Sequence, residues 1–115
     1  MTEFVVAQDE DVFLKHVLNY PNPFSTSTMF TFEHDLRNQN LDVMVNIYTV
    51  SGKLVKTIQE QKFGAASRIN DIAWNGTDDF GSKLAKGVYL YKINISSNEL
   101  NLDRESDFQK LVILN

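Results

Sequence analysis

The chain has 115 residues, 43% of them apolar and 23% charged, which fits a single globular domain. Its 11 basic and 15 acidic residues give a net charge of −4, which argues against a nucleic-acid binder because such proteins need a basic face. Because cysteine is absent, disulfides, thiolate metal sites and a thiol nucleophile are excluded within the chain.

The first segment is polar, with Asp9, Glu10 and Asp11 in a row. It lacks the basic start and long apolar stretch of a signal peptide, and no run in the chain approaches the roughly 18 apolar residues of a membrane span. We therefore expect either a cytoplasmic protein or a piece of a longer chain. Residues 1–16 are predicted to be an N-terminal linker, and residues 17–115 are predicted to be the folded domain.

Seven segments then have the composition of β-strands, and apolar and polar residues alternate along most of them. In chain order they are residues 13–18, 28–33, 42–49, 53–58, 68–74, 88–95 and 108–114. Prolines 21 and 23, the Ser51–Gly52 pair and the cluster at 75–81 supply turn signals between them. This pattern predicts a seven-stranded antiparallel immunoglobulin-like sandwich with a loop over residues 96–107.

The aromatic residues indicate the core. Phe30 and Phe32 share one strand face, and Tyr89 and Tyr91 share another, as core-facing positions do. Without a disulfide, Trp74 and the tyrosine stripe are expected to fill the centre of the sandwich. The alternative is that these rings line a glycan-binding or adhesive surface.

Side chains suited to catalysis or metal binding are few. His16 lies near the first predicted strand and His34 at the end of the second, and the chain contains no Gly-x-Ser-x-Gly motif, so no catalytic residue and no cofactor are predicted. Asp71, Asp78 and Asp79 surround a turn and are candidates for a calcium site. The preferred interpretation is that a tight turn has selected these residues for its own backbone hydrogen bonds.

Five short segments follow one another in a distinctive order between residue 17 and the end of the chain. Their key residues are Tyr20, Pro21, Asn22, Pro23 and Phe24; Gly52; Trp74, Gly76, Asp78 and Gly81; Gly87 and Tyr89; and Lys110, Leu111, Val112, Ile113 and Leu114. Together they resemble the C-terminal immunoglobulin-like domain of proteins exported by the type IX secretion system. That domain is related to the FlgD-like immunoglobulin module.

Within that family, the 78–81 turn and the ending 107–114 are most similar to the sortase, a gingipain-like cysteine peptidase that removes C-terminal signals from cargo and attaches cargo to the cell surface. Two departures leave the choice between sortase and cargo open. Asn75 stands where the family usually has Asp, and the 96–107 loop is longer and more acidic than in ordinary cargo signals.

The resemblance implies a non-catalytic targeting or interaction domain at the outer-membrane surface of a Bacteroidota-type Gram-negative bacterium. Its expected partners are outer-membrane proteins of the secretion system, either the translocon or the attachment complex. The catalytic residues of a peptidase parent would lie outside this chain. Residues 110–114 would be the targeting strand, which either adds to a partner's sheet edge or pairs inside the sandwich. The alternatives are the sorting signal of another cargo protein and a glycan-binding or adhesive module.

Overall fold

The computed structural model describes residues 14–114, and its regular elements there are all β-strands. They are β1 (Leu14–Tyr20), β2 (Thr28–His34), β3 (Leu41–Thr49), β4 (Leu54–Lys62), β5 (Arg68–Trp74), β6 (Gly87–Ser97), β7 (Leu102–Glu105) and β8 (Gln109–Ile113). β1 begins inside the predicted linker. Residues 1–13 of that linker lie outside the described residues.

The strands form two antiparallel sheets with one core between them. One sheet has the order β1-β2-β5, and the other has the order β4-β3-β6. β7 and β8 share the remaining edge of β6: β7 pairs with residues 94–97, and β8 pairs with residues 87–91. The predicted all-β immunoglobulin-like sandwich is confirmed, with eight strands in place of seven.

The additional strand is β7, which lies inside the stretch predicted to be a loop. It has four residues, three of them charged, so no apolar alternation marks it in the sequence. Its position comes from pairing instead, with Asn94 opposite Glu105 and Ser97 opposite Leu102. Such a short, charged strand suits the edge of a sheet, where it discourages pairing with another chain.

Ser106 joins β7 to β8. Its N–H donates to the carbonyl oxygen of Ile93 at 2.8 Å, and its Oγ accepts from the Ile93 N–H at 2.9 Å. This one residue therefore satisfies both backbone groups of Ile93 between the two ladders. The last strand, β8, pairs with β6, and the chain reaches it through β7.

The core is built from alternate residues of both sheets, as the period-2 pattern predicts. Its largest buried side chains include Phe24, Phe30, Phe32, Ile47, Ile72, Tyr91, Ile93, Ile95 and Leu111. Trp74 is only 4% exposed. The Phe30 ring lies between Trp74 and Tyr91, with ring centroids 6.3 and 4.9 Å away. The aromatic core predicted from the sequence is confirmed.

The hairpin predicted at Ser51–Gly52 joins β3 to β4. The Thr49 N–H donates to the carbonyl oxygen of Lys53 at 2.8 Å, and the Gly52 N–H donates back to that of Thr49 at 2.9 Å. Gly52 has a φ of +98°, a conformation that side chains disfavour. Residues 14–114 include no helix that is long and apolar enough to cross a membrane.

Candidate functional site

Asn22 and Phe24 of the family pattern lie along the edge of β8 that faces away from β6. We call residues 22–24 the clasp. The Asn22 side chain donates from Nδ2 to the carbonyl oxygen of Lys110 at 3.1 Å, and its Oδ1 accepts from the Val112 N–H at 3.0 Å. One side-chain amide thereby takes the place that a neighbouring strand's peptide group would occupy.

Phe24 continues this edge with its backbone. Its N–H donates to the carbonyl oxygen of Val112 at 3.1 Å, and its own carbonyl oxygen accepts from the Leu114 N–H at 2.8 Å. The result is a parallel bridge between Phe24 and Ile113. The clasp therefore covers β8 on the side away from β6.

A polar network behind the clasp orients Asn22. Asn22 Nδ2 lies 3.2 Å from Oδ1 of the buried Asn19, whose Nδ2 in turn donates to Thr28 Oγ1 at 3.1 Å. The Thr28 hydroxyl donates to the carbonyl oxygen of Pro21 at 2.8 Å. The peptide bonds preceding Pro21 and Pro23 are both cis. The side-chain amide of Asn22 is thus held from β1 and β2 while it binds β8.

The Phe24 side chain anchors the clasp in the core. It is buried against Trp74, with ring centroids 5.6 Å apart. Gly76, at a φ of +80°, passes so close that an added Cβ would lie 3.5 Å from the Phe24 ring and 3.9 Å from Ile113. The Trp74–Gly76 part of the family pattern therefore packs directly on the clasp and on the last strand.

The predicted targeting residues alternate in burial along β8. Leu111 and Ile113 are buried in the core, Val112 is half-buried, and Lys110 and Leu114 are exposed. Because β6 occupies one edge and the clasp occupies the other, the strand pairs within the sandwich. In the structure the last strand pairs inside the sandwich, which is one of the two alternatives; the other was addition to the sheet edge of a partner.

Asp78, Gly81, Gly87 and Tyr89 of the family pattern lie in the loop between β5 and β6 or at the start of β6. Asp78 Oδ1 accepts from the N–H groups of Phe80 and Ser82, both at 2.9 Å, and Gly81 completes the turn at a φ of +87°. Gly87 begins β6 at a φ of +147°. The Tyr89 hydroxyl donates to the carbonyl oxygen of Ala85 at 2.7 Å, which ties the loop to β6.

The structure does not bring the three calcium candidates together. Asp71 pairs with Lys62 at 2.9 Å on the far part of β5, and Asp78 caps its own turn. Asp79 Oδ1 accepts from the Thr57 N–H at 3.1 Å. Within residues 14–114 no group of three His, Cys, Asp or Glu side chains has the arrangement of a metal site. The geometry fits the turn interpretation at Asp78, whereas Asp71 lies within β5 and Asp79 binds the backbone of β4.

Sequence reasoning did not find the role that Asp79 has. Its N–H donates to the carbonyl oxygen of Val55 at 3.1 Å while its carboxylate takes the Thr57 N–H, so it covers part of the free edge of β4. The opposite edge of the same sheet is covered by the clasp. A side chain that replaces a strand partner leaves no periodic signal, and only the Asx-turn composition of 78–81 hinted at it.

The two histidines lie apart. His16 is exposed at a bulge in β1, with Nδ1 3.1 Å from Glu33 Oε1. His34 is buried at the end of β2, where its Nε2 lies 2.6 Å from the carbonyl oxygen of Ala66 and its Nδ1 accepts from the Leu36 N–H at 3.0 Å. Burial lowers the pKa of His34. Both contacts indicate structural roles.

The comparisons with known proteins agree with this geometry. The family model for the FlgD Ig-like domain matches residues 21–99, which is more than half of the chain and includes the clasp. A search of curated protein sequences finds no match. The crystal structure of dimeric latent PorU from Porphyromonas gingivalis is similar, with a TM-score of 0.74 and 28% sequence identity.

That structural match covers 85% of this chain but 9% of the PorU chain, so the similarity concerns one small part of a much longer protein. The family match and the two-sheet architecture agree on the fold. This chain belongs to the family of FlgD Ig-like domains.

Proposed function

We propose that this chain is a non-catalytic C-terminal targeting or interaction domain of a protein that the type IX secretion system exports to the outer-membrane surface. The observation that carries the proposal is the match to PorU at 28% identity over 85% of the chain. A 9% share of PorU suits a terminal module of a large surface protein. The partners would be outer-membrane proteins of the secretion system, in its translocon or its attachment complex.

The same match favours the sortase over an ordinary cargo protein as the parent. PorU is the sortase that the 78–81 turn and the 107–114 ending resemble, and its similarity to this chain extends over 85% of the chain, beyond those motifs. The peptidase chemistry would then belong to the rest of the parent. The alternative parent is another secreted cargo protein, in which this domain would be the sorting signal.

The closed edge of β8 supports recognition of the folded domain. The clasp and β6 occupy the two edges of the last strand, so a partner's sheet has no free edge there to join. Because Trp74, Tyr89 and Tyr91 are buried, these three rings do not line a surface, which counts against the glycan-binding alternative. Recognition would therefore use the outer surfaces of the sandwich and its loops.

A reporter fusion tests the export role. A signal peptide, a reporter and residues 1–115 are joined and expressed in a type IX-competent bacterium and in a derivative without the translocon. We expect the reporter at the cell surface in the first strain and in the periplasm in the second. A reporter that stays periplasmic in both strains would refute an autonomous targeting role.

A C-terminal epitope tag on the same fusion distinguishes the two parents. A cargo signal is removed at the surface, so the tag would be lost while the reporter remains. For a sortase tail we expect the surface-exposed reporter to keep the tag. Deletion of residues 108–115 serves as the matched control, because it removes β8 and leaves the reporter intact.

A further inference from the structure

One end of the sandwich displays apolar side chains on three separate segments. Val50 in the β3–β4 turn is 65% exposed, Phe80 in the β5–β6 loop is 93% exposed, and Leu114 after β8 is 53% exposed. Strand register places Val50 and Leu114 at the same end of the sheet, on either side of β6, since Thr49 pairs with Tyr89 and Gly87 pairs with Ile113. The bond from the Asp79 N–H to the carbonyl oxygen of Val55 places the turn that carries Phe80 beside the start of β4, at that same end. We call this region the loop end.

Phe80 is held out into solvent by a rigid turn. The carboxylate of Asp78 accepts from the Phe80 N–H, and the Asp78 N–H donates to the carbonyl oxygen of Ser82 at 2.9 Å. The next residue, Asp79, fixes the turn to β4 through Val55 and Thr57. Because the backbone of this turn is already ordered, burial of the Phe80 side chain by a partner requires little further ordering of the loop.

Three lysines lie on the same two connections as Val50 and Phe80. Lys53 follows the β3–β4 turn, and Lys83 and Lys86 lie on the β5–β6 loop. None of the three forms an ion pair with another residue of the described chain, and Lys83 Nζ has only the carbonyl oxygen of Ser25 at 3.4 Å. These positive charges are available to an external partner.

The acidic groups at the loop end are already engaged. Asp78 Oδ1 accepts two backbone N–H groups of its own turn. Asp79 accepts from Thr57 and lies 4.0 Å from Lys56 Nζ. The loop end therefore exposes apolar side chains together with lysines that have no ion pair within the described residues, although the chain as a whole is acidic.

We propose that the loop end docks on an anionic lipid surface, with Phe80 and Val50 entering the headgroup region and the three lysines facing lipid phosphates. Charge complementarity selects an anionic partner. The tips are few and stand on separate segments, unlike the contiguous buried core of a standard protein interface, which buries roughly 800 Å² per side. A flat lipid surface can receive isolated protruding side chains without matching their shape.

Vesicle co-sedimentation of the 115-residue chain tests this proposal without any secretion machinery. The probes are vesicles of phosphatidylcholine alone and vesicles with one part phosphatidylglycerol to about three parts phosphatidylcholine. We expect binding to the anionic vesicles at low salt, much weaker binding to the neutral ones, and loss of binding at high salt.

Substitutions assign the binding to the loop end. Phe80→Ser should weaken binding to the anionic vesicles about tenfold. Lys53→Gln combined with Lys86→Gln should weaken it on the order of twentyfold, at about fivefold for each lysine. Circular dichroism checks that each variant is folded. Folding is expected to persist because none of these side chains has a described packing or hydrogen-bonding role.

The chain offers matched controls at the opposite end. Phe63 is 74% exposed in the loop after β4, and Lys15 is exposed on β1. Phe63→Ser and Lys15→Gln should leave vesicle binding unchanged. The proposal is overturned if the chain does not sediment with anionic vesicles, which would favour a protein partner for the loop end. It is also overturned if Phe63→Ser weakens binding as much as Phe80→Ser does.

Discussion

At the scale of single residues, the Asn22 side chain replaces the hydrogen bonds that a neighbouring strand would make with β8. Its amide group has both a donor and an acceptor, so it can satisfy the Lys110 carbonyl and the Val112 N–H at once. Pro21 and Pro23 on either side lack N–H donors and have restricted backbones, so they fix the segment without competing for those partners. This gives a physical reason for the Pro-Asn-Pro part of the family pattern.

Asn22→Asp should lower the free energy of unfolding by about 1–2 kcal/mol. The carboxylate keeps an acceptor for Val112 but loses the donor and places negative charge against the oxygens of Lys110 and Asn19. Urea unfolding measures the change. Asn70→Asp, on the exposed face of β5, is the matched control and should change the value by less than about 0.5 kcal/mol. Equal effects of the two substitutions would contradict a clasp.

Trp74→Ala should cost about 3–5 kcal/mol, the range for truncating a large buried aromatic ring. The ring packs on Phe24 and Phe30, and its Nε1–H donates to the carbonyl oxygen of Thr77 at 2.9 Å. The exposed Phe80 provides the control, since Phe80→Ala should change stability little. A cost below about 1 kcal/mol for Trp74→Ala in denaturant unfolding would show that the ring is not a core anchor.

His34 should make the fold weaker in mild acid. Burial lowers its pKa below the ordinary 6.5, so the unfolded chain binds this proton more readily than the folded one. The free energy of unfolding should therefore fall as the pH drops through 6.5 and level off below the folded-state pKa. Urea unfolding between about pH 7.5 and pH 5 should show this loss in the native chain and a smaller loss in His34→Gln. An identical pH dependence in both would contradict the assignment.

At the scale of elements, alternation along the strands predicted most of the sheet, and tertiary pairing decided the rest. Strands such as β3 and β6 can be predicted from the sequence because apolar residues at every second position enter the core. β7 has no such pattern, since it lies at an edge and is held by β6. The contacts between Asn22 and β8 join residues 88 and 90 positions apart, which no local pattern encodes.

The junction of β7 and β8 should depend on the Ser106 hydroxyl. Ser106→Ala leaves the Ile93 N–H buried without its acceptor, so the free energy of unfolding should fall by about 1–3 kcal/mol. Ser82→Ala is the control, because the described bonds of Ser82 use only its backbone. Chemical unfolding of both variants checks the difference. If Ser106→Ala leaves the free energy of unfolding unchanged, β7 and β8 are held independently of this residue.

At the scale of the whole molecule, a chain without cysteine closes its sandwich by aromatic packing and by covering strand edges. The clasp covers β8, and Asp79 covers part of β4, so both outer edges of the larger sheet are blunted. A partner would therefore contact the outer faces of the sandwich and its loops rather than the edge of β8. This agrees with the proposed role as a folded interaction domain at the end of a longer surface protein.

Closure of the β8 edge is tested most directly by amide hydrogen exchange on the 115-residue chain. The Val112 and Leu114 amides, which face the clasp, should exchange slowly and approach the protection of Leu111, which faces β6. Asn22→Asp should speed exchange at Val112 more than at Met44 in the central strand β3, where only the loss of global stability acts. Val112 and Leu114 amides that exchange as fast as the exposed turn residue Glu99 would show that the last strand has a free edge.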